Sequence, residues 1–246
     1  MKTLPALVLT MAYAAADPEP KSFEATDGTE VLYRFATPGK TEEGKTHPLV
    51  LFLHGSGERG NDNKSQLKHG VDEILANAEK QGQAIFLIAP QCPADKTWAP
   101  YRIDPSSPAD GKAENPLLDA VLELVGETCA NHPVDPKRIY ITGLSMGGFG
   151  TWAAIARKPE MFAAAIPICG GGDPRTAARF KEMPIRIFHG DADNIVPPSG
   201  SQRMFDALKE AGSRAELTLY PGVGHNSWTQ TYRDEEVIRW LFAQTK

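Results

Sequence analysis

The residues equipped for chemistry lie far apart in this chain. Ser145 sits in Gly143-Leu144-Ser145-Met146-Gly147-Gly148, and His225 sits in Gly222-Val223-Gly224-His225-Asn226. Two carboxylates, Asp191 and Asp193, share the segment His189-Gly190-Asp191-Ala192-Asp193. A serine hydroxyl is a weak nucleophile until an imidazole takes its proton. The imidazole in turn needs one carboxylate to hold its tautomer and to stabilise the imidazolium that forms. Brought together, the three would transfer an acyl group through a covalent intermediate.

The flanks of Ser145 give its pentapeptide a meaning. Residues 138–142 are apolar and β-branched and predict a buried strand; residues 149–157 predict a helix. Strand, Gly-x-Ser-x-Gly and helix form a turn sharp enough to expose the hydroxyl, and the glycines let the two backbones pass. The N–H of Met146, at the start of that helix, then faces the place where an oxyanion would form. A second donor is expected from the loop His54-Gly55-Ser56-Gly57, with Ser56 preferred and Gly57 as the alternative. His225 follows the last predicted strand in a glycine-flanked loop and is the candidate base. His47, His69 and His132 fall in or beside connections, while His54 and His189, at strand ends, read as packing or hydrogen-bonding residues. The adjacent charges Glu58 and Arg59 read as a structural pair, with contact to a polar substrate as the alternative. Which of Asp191 and Asp193 is the acid stays open on the residues alone.

These groups need a scaffold, and the chain supplies one by alternation. Residues 22–26 and 30–36 flank Asp27-Gly28 and predict a hairpin. Residues 48–53, 84–89, 138–142, 163–168, 184–188 and 215–220 are strand-like, the first a continuous apolar run suited to a central strand covered on both faces. Helices are predicted over 65–79, 117–129, 149–157, 199–211 (with Ser199 as cap) and roughly 231–244. Residues 91–116 form the longest irregular stretch, whose Trp98 and Tyr101, with Trp228 near the base, are candidate walls of a substrate pocket. Strands alternating with helices imply a mostly parallel, doubly wound sheet, with functional groups gathered at the carboxyl ends of its strands.

Composition narrows the partners. With 246 residues, 41% hydrophobic and 23% charged, the chain suits one α/β domain, and its net charge of −5 offers no attraction to nucleic acid or to an anionic membrane. Residues 1–16 carry one lysine, an apolar run too short to span a bilayer and a closing run of alanines, the order of a signal peptide. Export to the periplasm or medium is therefore expected, with 17–246 as the catalytic domain. Cys92, Cys129 and Cys169 identify no disulfide pair, and no histidine–cysteine cluster has metal-ligand spacing. No metal or organic cofactor is implied, and the oligomeric state is not readable.

Four motifs carry a family resemblance. These are His54-Gly55-Ser56-Gly57-Glu58-Arg59-Gly60, Ala89-Pro90-Gln91-Cys92-Pro93, Gly143-Leu144-Ser145-Met146-Gly147-Gly148 and Ala165-Ile166-Pro167-Ile168-Cys169-Gly170-Gly171-Gly172. Together they resemble the α/β-hydrolase esterases often labelled "predicted peptidase", which are similar to phospholipase/carboxylesterase and feruloyl-esterase-type enzymes. The chain order serine, acid, histidine agrees. The resemblance implies an α/β-hydrolase fold with an N-terminal antiparallel hairpin and no large cap domain. It also implies that the acid is Asp193, which follows His-Gly after two intervening residues and precedes a Val-Pro. The implied activity is that of a secreted serine carboxylesterase acting on short-chain or aromatic (feruloyl/acetyl-type) esters, either small molecules or ester groups on a polysaccharide. A prolyl-oligopeptidase-like peptidase and a catalytically silent binding protein are the alternatives. Dienelactone hydrolases share the architecture but use cysteine at the elbow, a pattern from which Ser145 departs.

Overall fold

The computed structural model describes residues 17–39, 44–100 and 114–246; residues 1–16, read above as a signal peptide, and Tyr101 lie outside them. The described residues build an eight-stranded sheet from β1 (Glu19–Glu24), β2 (Glu30–Ala36), β3 (His47–Leu53), β4 (Phe86–Pro90), β5 (Val134–Leu144), β6 (Ala164–Ile168), β7 (Arg186–Gly190) and β8 (Glu216–Tyr220). Their spatial order is β1-β2-β4-β3-β5-β6-β7-β8. The hairpin β1–β2 is antiparallel and joins β4 antiparallel; every later pairing is parallel. This is the mostly parallel α/β-hydrolase sheet with an antiparallel N-terminal hairpin that the alternation and the motifs imply.

The central strand shows why its sequence is apolar throughout. Leu49, Leu51 and Leu53 enter the core on one face of the sheet, and Val50 and Phe52 enter the core on the other. Successive strand side chains point to opposite faces, so a strand covered on both sides has no polar position left to fill. The first face is covered by α2 (Pro116–Asn131), α3 (Met146–Arg157) and α4 (Ser199–Glu210), through residues such as Val121, Ile155 and Met204. The second is covered by α1 (Val71–Lys80), α5 (Trp228–Arg233) and α6 (Glu235–Phe242), through Ile74, Tyr232 and Leu241.

Two predicted helices are each interrupted. Residues 65–79 divide into a 3₁₀ turn (Ser65–Leu67) and α1, because Gly70 takes φ +82°. A Cβ on Gly70 would meet the Phe52 and Tyr232 rings at 2.7 Å, so the break brings the backbone against two aromatic faces. The closing helix divides at Asp234, whose extended backbone ends α5 and whose side chain accepts the Glu236 N–H at 2.9 Å to start α6. Ser199 does not cap α4: Pro198 holds the cap position without a side-chain bond, and Ser199 lies inside the helix.

Candidate active site

The strand-to-helix turn at Ser145 is a strained one. Ser145 has φ +54° and ψ −117°, a conformation that costs an L-residue on the order of 1–3 kcal/mol and persists only where its surroundings enforce it. Enforcement comes from both sides. The Ser145 N–H donates to the Ile168 carbonyl at 3.0 Å, and a Cβ on Gly147 would fall 1.8 Å from the Leu53 carbonyl oxygen. Helix α3 is thus pressed against the end of β3 at a distance only glycine allows, and the serine is left half-buried at the rim.

Two further loops leave the same edge of the sheet and meet the hydroxyl. The Ser145 O–H donates to His225 Nε2 at 2.9 Å, and His225 Nδ1–H donates to Asp193 Oδ2 at 2.6 Å. The other carboxylate oxygen, Oδ1, accepts the N–H groups of Ile195 and Val196, each at 2.9 Å. Burial raises the Asp193 carboxyl, but the hydrogen bonds from His225, Val196 and Ile195 outweigh it and hold the group below the ordinary carboxylate range. The imidazole therefore rests on an anion. Asp191 is exposed and bonds elsewhere: its Oδ1 accepts the Gly222 N–H at 2.7 Å, tying the loop that carries His225 to the end of β7.

Asp193 also touches a second imidazole. His189 is fully buried; its Nε2–H donates to the Val196 carbonyl at 2.9 Å and lies 3.2 Å from Asp193 Oδ2, while Nδ1 faces Ser201 Oγ at 2.8 Å. Burial pushes its pKa down, so it holds the acid loop as a neutral ring. The sequence marks His189 as a hydrogen-bonding residue, but its partner, four positions later on the same turn, emerges only from the fold. His54 is likewise neutral and structural. Its Nδ1–H donates to the Gly55 carbonyl at 2.6 Å, and its Nε2 accepts the Cys92 N–H at 2.9 Å.

The remaining candidates divide. Met146 opens α3, where its N–H has no intrahelical acceptor, and Ser56 opens a 3₁₀ turn (Ser56–Glu58) at the mouth of the site. A Cβ on the intervening Gly55 would lie 3.6 Å from Ser145 Cβ, so this loop packs directly against the nucleophile. Trp228 stands beside the base, its ring edge-on to His225 at 5.3 Å and 86°. Trp98 is not a pocket wall. It is fully buried in the main core, donates its indole N–H to the His54 carbonyl at 3.0 Å, and packs so closely that a Cβ on Gly150 would meet its Cβ at 2.5 Å. Trp98 turns inward because Gly150 of α3 leaves room for it and the His54 carbonyl accepts its N–H, and neither partner is marked in the sequence. Glu58 and Arg59 do not pair with each other: Arg59 donates to the Ser56 and Lys96 carbonyls, whereas Glu58 is buried.

All three cysteines are free. Cys169 lies beneath the elbow with its sulfur 3.3 Å from the Ser145 nitrogen, and burial pushes its thiol up to about 12. Among the described residues, Cys169, Asp193 and His225 bring ligand-type atoms within 4.8 Å of one another. Those of Asp193 and His225 are bonded to each other, and the thiol is held protonated, so the set suits proton relay better than metal binding.

The family models match in overlapping halves. The dienelactone hydrolase family model matches residues 109–237, and the esterase PHB depolymerase model matches residues 32–172. The chain belongs to these two hydrolase families. This hydrolase is 38% identical to a thermostable esterase of known structure, with a TM-score of 0.86 over 94% of its own length and 64% of that chain. It is 28% identical to carboxylesterase SOBER1 of Arabidopsis thaliana over 72% of its length and 83% of the relative. It is 46% identical to poly(3-hydroxyalkanoate) depolymerase C of Paucimonas lemoignei over 62% of its length and 42% of the relative. The chain thus spans less than two thirds of the esterase structure and of the depolymerase. It is a carboxylic ester hydrolase, with serine rather than cysteine at the elbow.

Proposed function

We propose that this hydrolase is an exported serine carboxylesterase that cleaves short-chain or aromatic esters, of acetyl or feruloyl type, through an acyl-enzyme. The observation that carries the reading is the unbroken bond chain from Ser145 Oγ through His225 to Asp193, 2.9 and 2.6 Å long. Ser145 Oγ attacks the ester carbonyl carbon while its proton passes to His225 Nε2, and the carbonyl oxygen becomes an oxyanion facing the N–H groups of Met146 and Ser56. The imidazolium, stabilised by Asp193, returns the proton to the alcohol oxygen as the C–O bond breaks. Water then repeats the sequence on the acyl-serine: its proton goes to His225, the tetrahedral adduct collapses, Ser145 regains its hydroxyl and the carboxylic acid leaves.

Export is supported by the order of charge, apolar run and alanines in residues 1–16. Among the described residues no helix is long and apolar enough to cross a membrane. Purified protein is expected to hydrolyse p-nitrophenyl acetate and butyrate, and Ser145→Ala to lose at least ~10³-fold in kcat without loss of fold. Undiminished hydrolysis by that variant would rule the mechanism out.

A further inference from the structure

One of the four motifs, Ala89-Pro90-Gln91-Cys92-Pro93, has no place in the relay, yet it puts a polar side chain in the interior. Gln91 directly follows β4 and is 2% exposed. A buried carboxamide is costly unless its polar atoms are bonded. Both of them are. Oε1 accepts the Asn63 N–H at 2.7 Å, while Nε2 donates to the Glu58 carbonyl at 3.2 Å and to Asp62 Oδ1 at 2.8 Å. All three partners lie in the loop that runs on from Ser56.

That loop takes its shape from outside. Asn63 has φ +47° and Gly60 φ +153°, backbone conformations that persist where neighbouring structure imposes them. Cys92 adds two bonds beside those of Gln91: its carbonyl accepts the Gly60 N–H at 3.0 Å, and its N–H donates to His54 Nε2 at 2.9 Å. The pair Gln91-Cys92 thus grips the chain on both sides of Ser56, at His54 before it and at Glu58, Gly60, Asp62 and Asn63 after it. Inside the grip, the Glu58 N–H donates to the Gly55 carbonyl at 3.3 Å and closes the turn that Ser56 opens. An apolar side chain at 91 would fill the same space, but apolar contact is non-directional and would not fix where the turn points.

We infer that Gln91 is a positioning residue for catalysis: its carboxamide holds the loop so that the Ser56 N–H is aimed at the developing oxyanion. The inference rests on the serine-esterase reading above and on Ser56 as an oxyanion donor. Such a donor accelerates the reaction only if it is aimed before charge develops, and a displacement of about 1 Å can cost ~10²-fold in rate. The test is Gln91→Met, which keeps length and volume and removes all three bonds. On p-nitrophenyl butyrate, kcat is expected to fall by roughly 10²-fold while KM stays within about 3-fold, because the donor acts on the transition state rather than on bound ester. The carbonyl stretch of the butyryl-enzyme, read by infrared difference with a labelled carbonyl, should move to higher frequency as its oxygen loses a hydrogen bond. The acid limb of the pH–rate profile should stay in place, since His225 and Asp193 are untouched.

If Gln91→Met does not fold, Gly60→Ala serves. A Cβ on Gly60 would lie 3.4 Å from Gln91 Nε2, on a backbone angle that L-residues rarely adopt, so it disturbs the same contact from the other side. It should show the same loss in kcat at steady KM and the same carbonyl shift. A folded Gln91→Met variant with kcat within about 3-fold of wild type overturns the inference and leaves the esterase reading standing. A lowered Tm with an unshifted carbonyl stretch would mean that Gln91 only supports the fold, and this also overturns it. No turnover of any ester by the wild-type protein would overturn the esterase reading itself, and the role of Gln91 with it.

Discussion

His54 couples the stability of the site to acid, and the size of the effect can be worked out. The ring is buried behind the oxyanion loop, and burial, followed by the charge of Arg59, lowers its pKa from 6.5 to about 4. Geometry supplies a further reason. Nδ1–H already donates to the Gly55 carbonyl, and Nε2 accepts from the backbone N–H of Cys92, which can only donate. A second proton on Nε2 would face that N–H and break the bond that joins this loop to the segment after β4. Because the folded pKa lies below the unfolded one, between pH 6.5 and 4 the unfolded chain binds a proton that the native protein excludes. Stability therefore falls as pH drops through that window. One such histidine contributes a loss approaching about 3 kcal/mol by pH 4, at 1.36 kcal/mol per pH unit. His189 and His132, also held low by burial, add to it in the same direction. The perturbation that isolates His54 is His54→Gln, which keeps an acceptor near Cys92 and does not titrate. Urea unfolding of both proteins from pH 7.5 to 4 should show the variant less stable at pH 7.5, with the gap shrinking by about 3 kcal/mol on acidification. A gap that stays constant across that range, or an imidazole proton resonance of His54 titrating near 6.5 in the native protein, would refute the reasoning.

Two further outcomes separate roles that proximity alone confuses. Asp193→Asn keeps the shape of the acid but lets His225 adopt the wrong tautomer, and kcat on p-nitrophenyl butyrate should fall by roughly 10⁴-fold. Asp191→Asn, which weakens only the loop bond to Gly222, should cost less than about 10-fold; matching losses in the two variants would contradict the assignment. Trp98→Phe should lower Tm, because it removes the bond to the His54 carbonyl and leaves a gap beside Gly150. KM for short esters should change little, and a large KM change with an unaltered Tm would return Trp98 to the pocket.

How much of this was legible in advance differs by kind of residue. Where a local pattern and a local cause coincide, the sequence is sufficient. The apolar run of β3, the Asp27-Gly28 hairpin and the glycine-flanked Ser145 each announce their backbone conformation, because strand burial, turn chemistry and close helix approach act within a few residues. The interruption at Gly70 was hidden for the opposite reason: helical periodicity runs through it, and what breaks it is the close approach of its backbone to the Phe52 and Tyr232 rings, the second from near the end of the chain. At Asp234 the cause is local, a side chain that caps the next helix, but the apolar periodicity on either side masks it.

The chain alone determined which chemistry was available: a serine on an exposed turn, a late histidine, and acids after a strand, in an order that suits acyl transfer. It also determined the alternation that places such groups at one edge of a parallel sheet. Only the tertiary structure decided which carboxylate meets His225, that Trp98 turns inward to the core, and that His189 flanks the relay. Hydrogen bonds and buried charges are settled by distances of a few tenths of an ångström between loops that are remote in sequence, and no one-dimensional pattern encodes those distances.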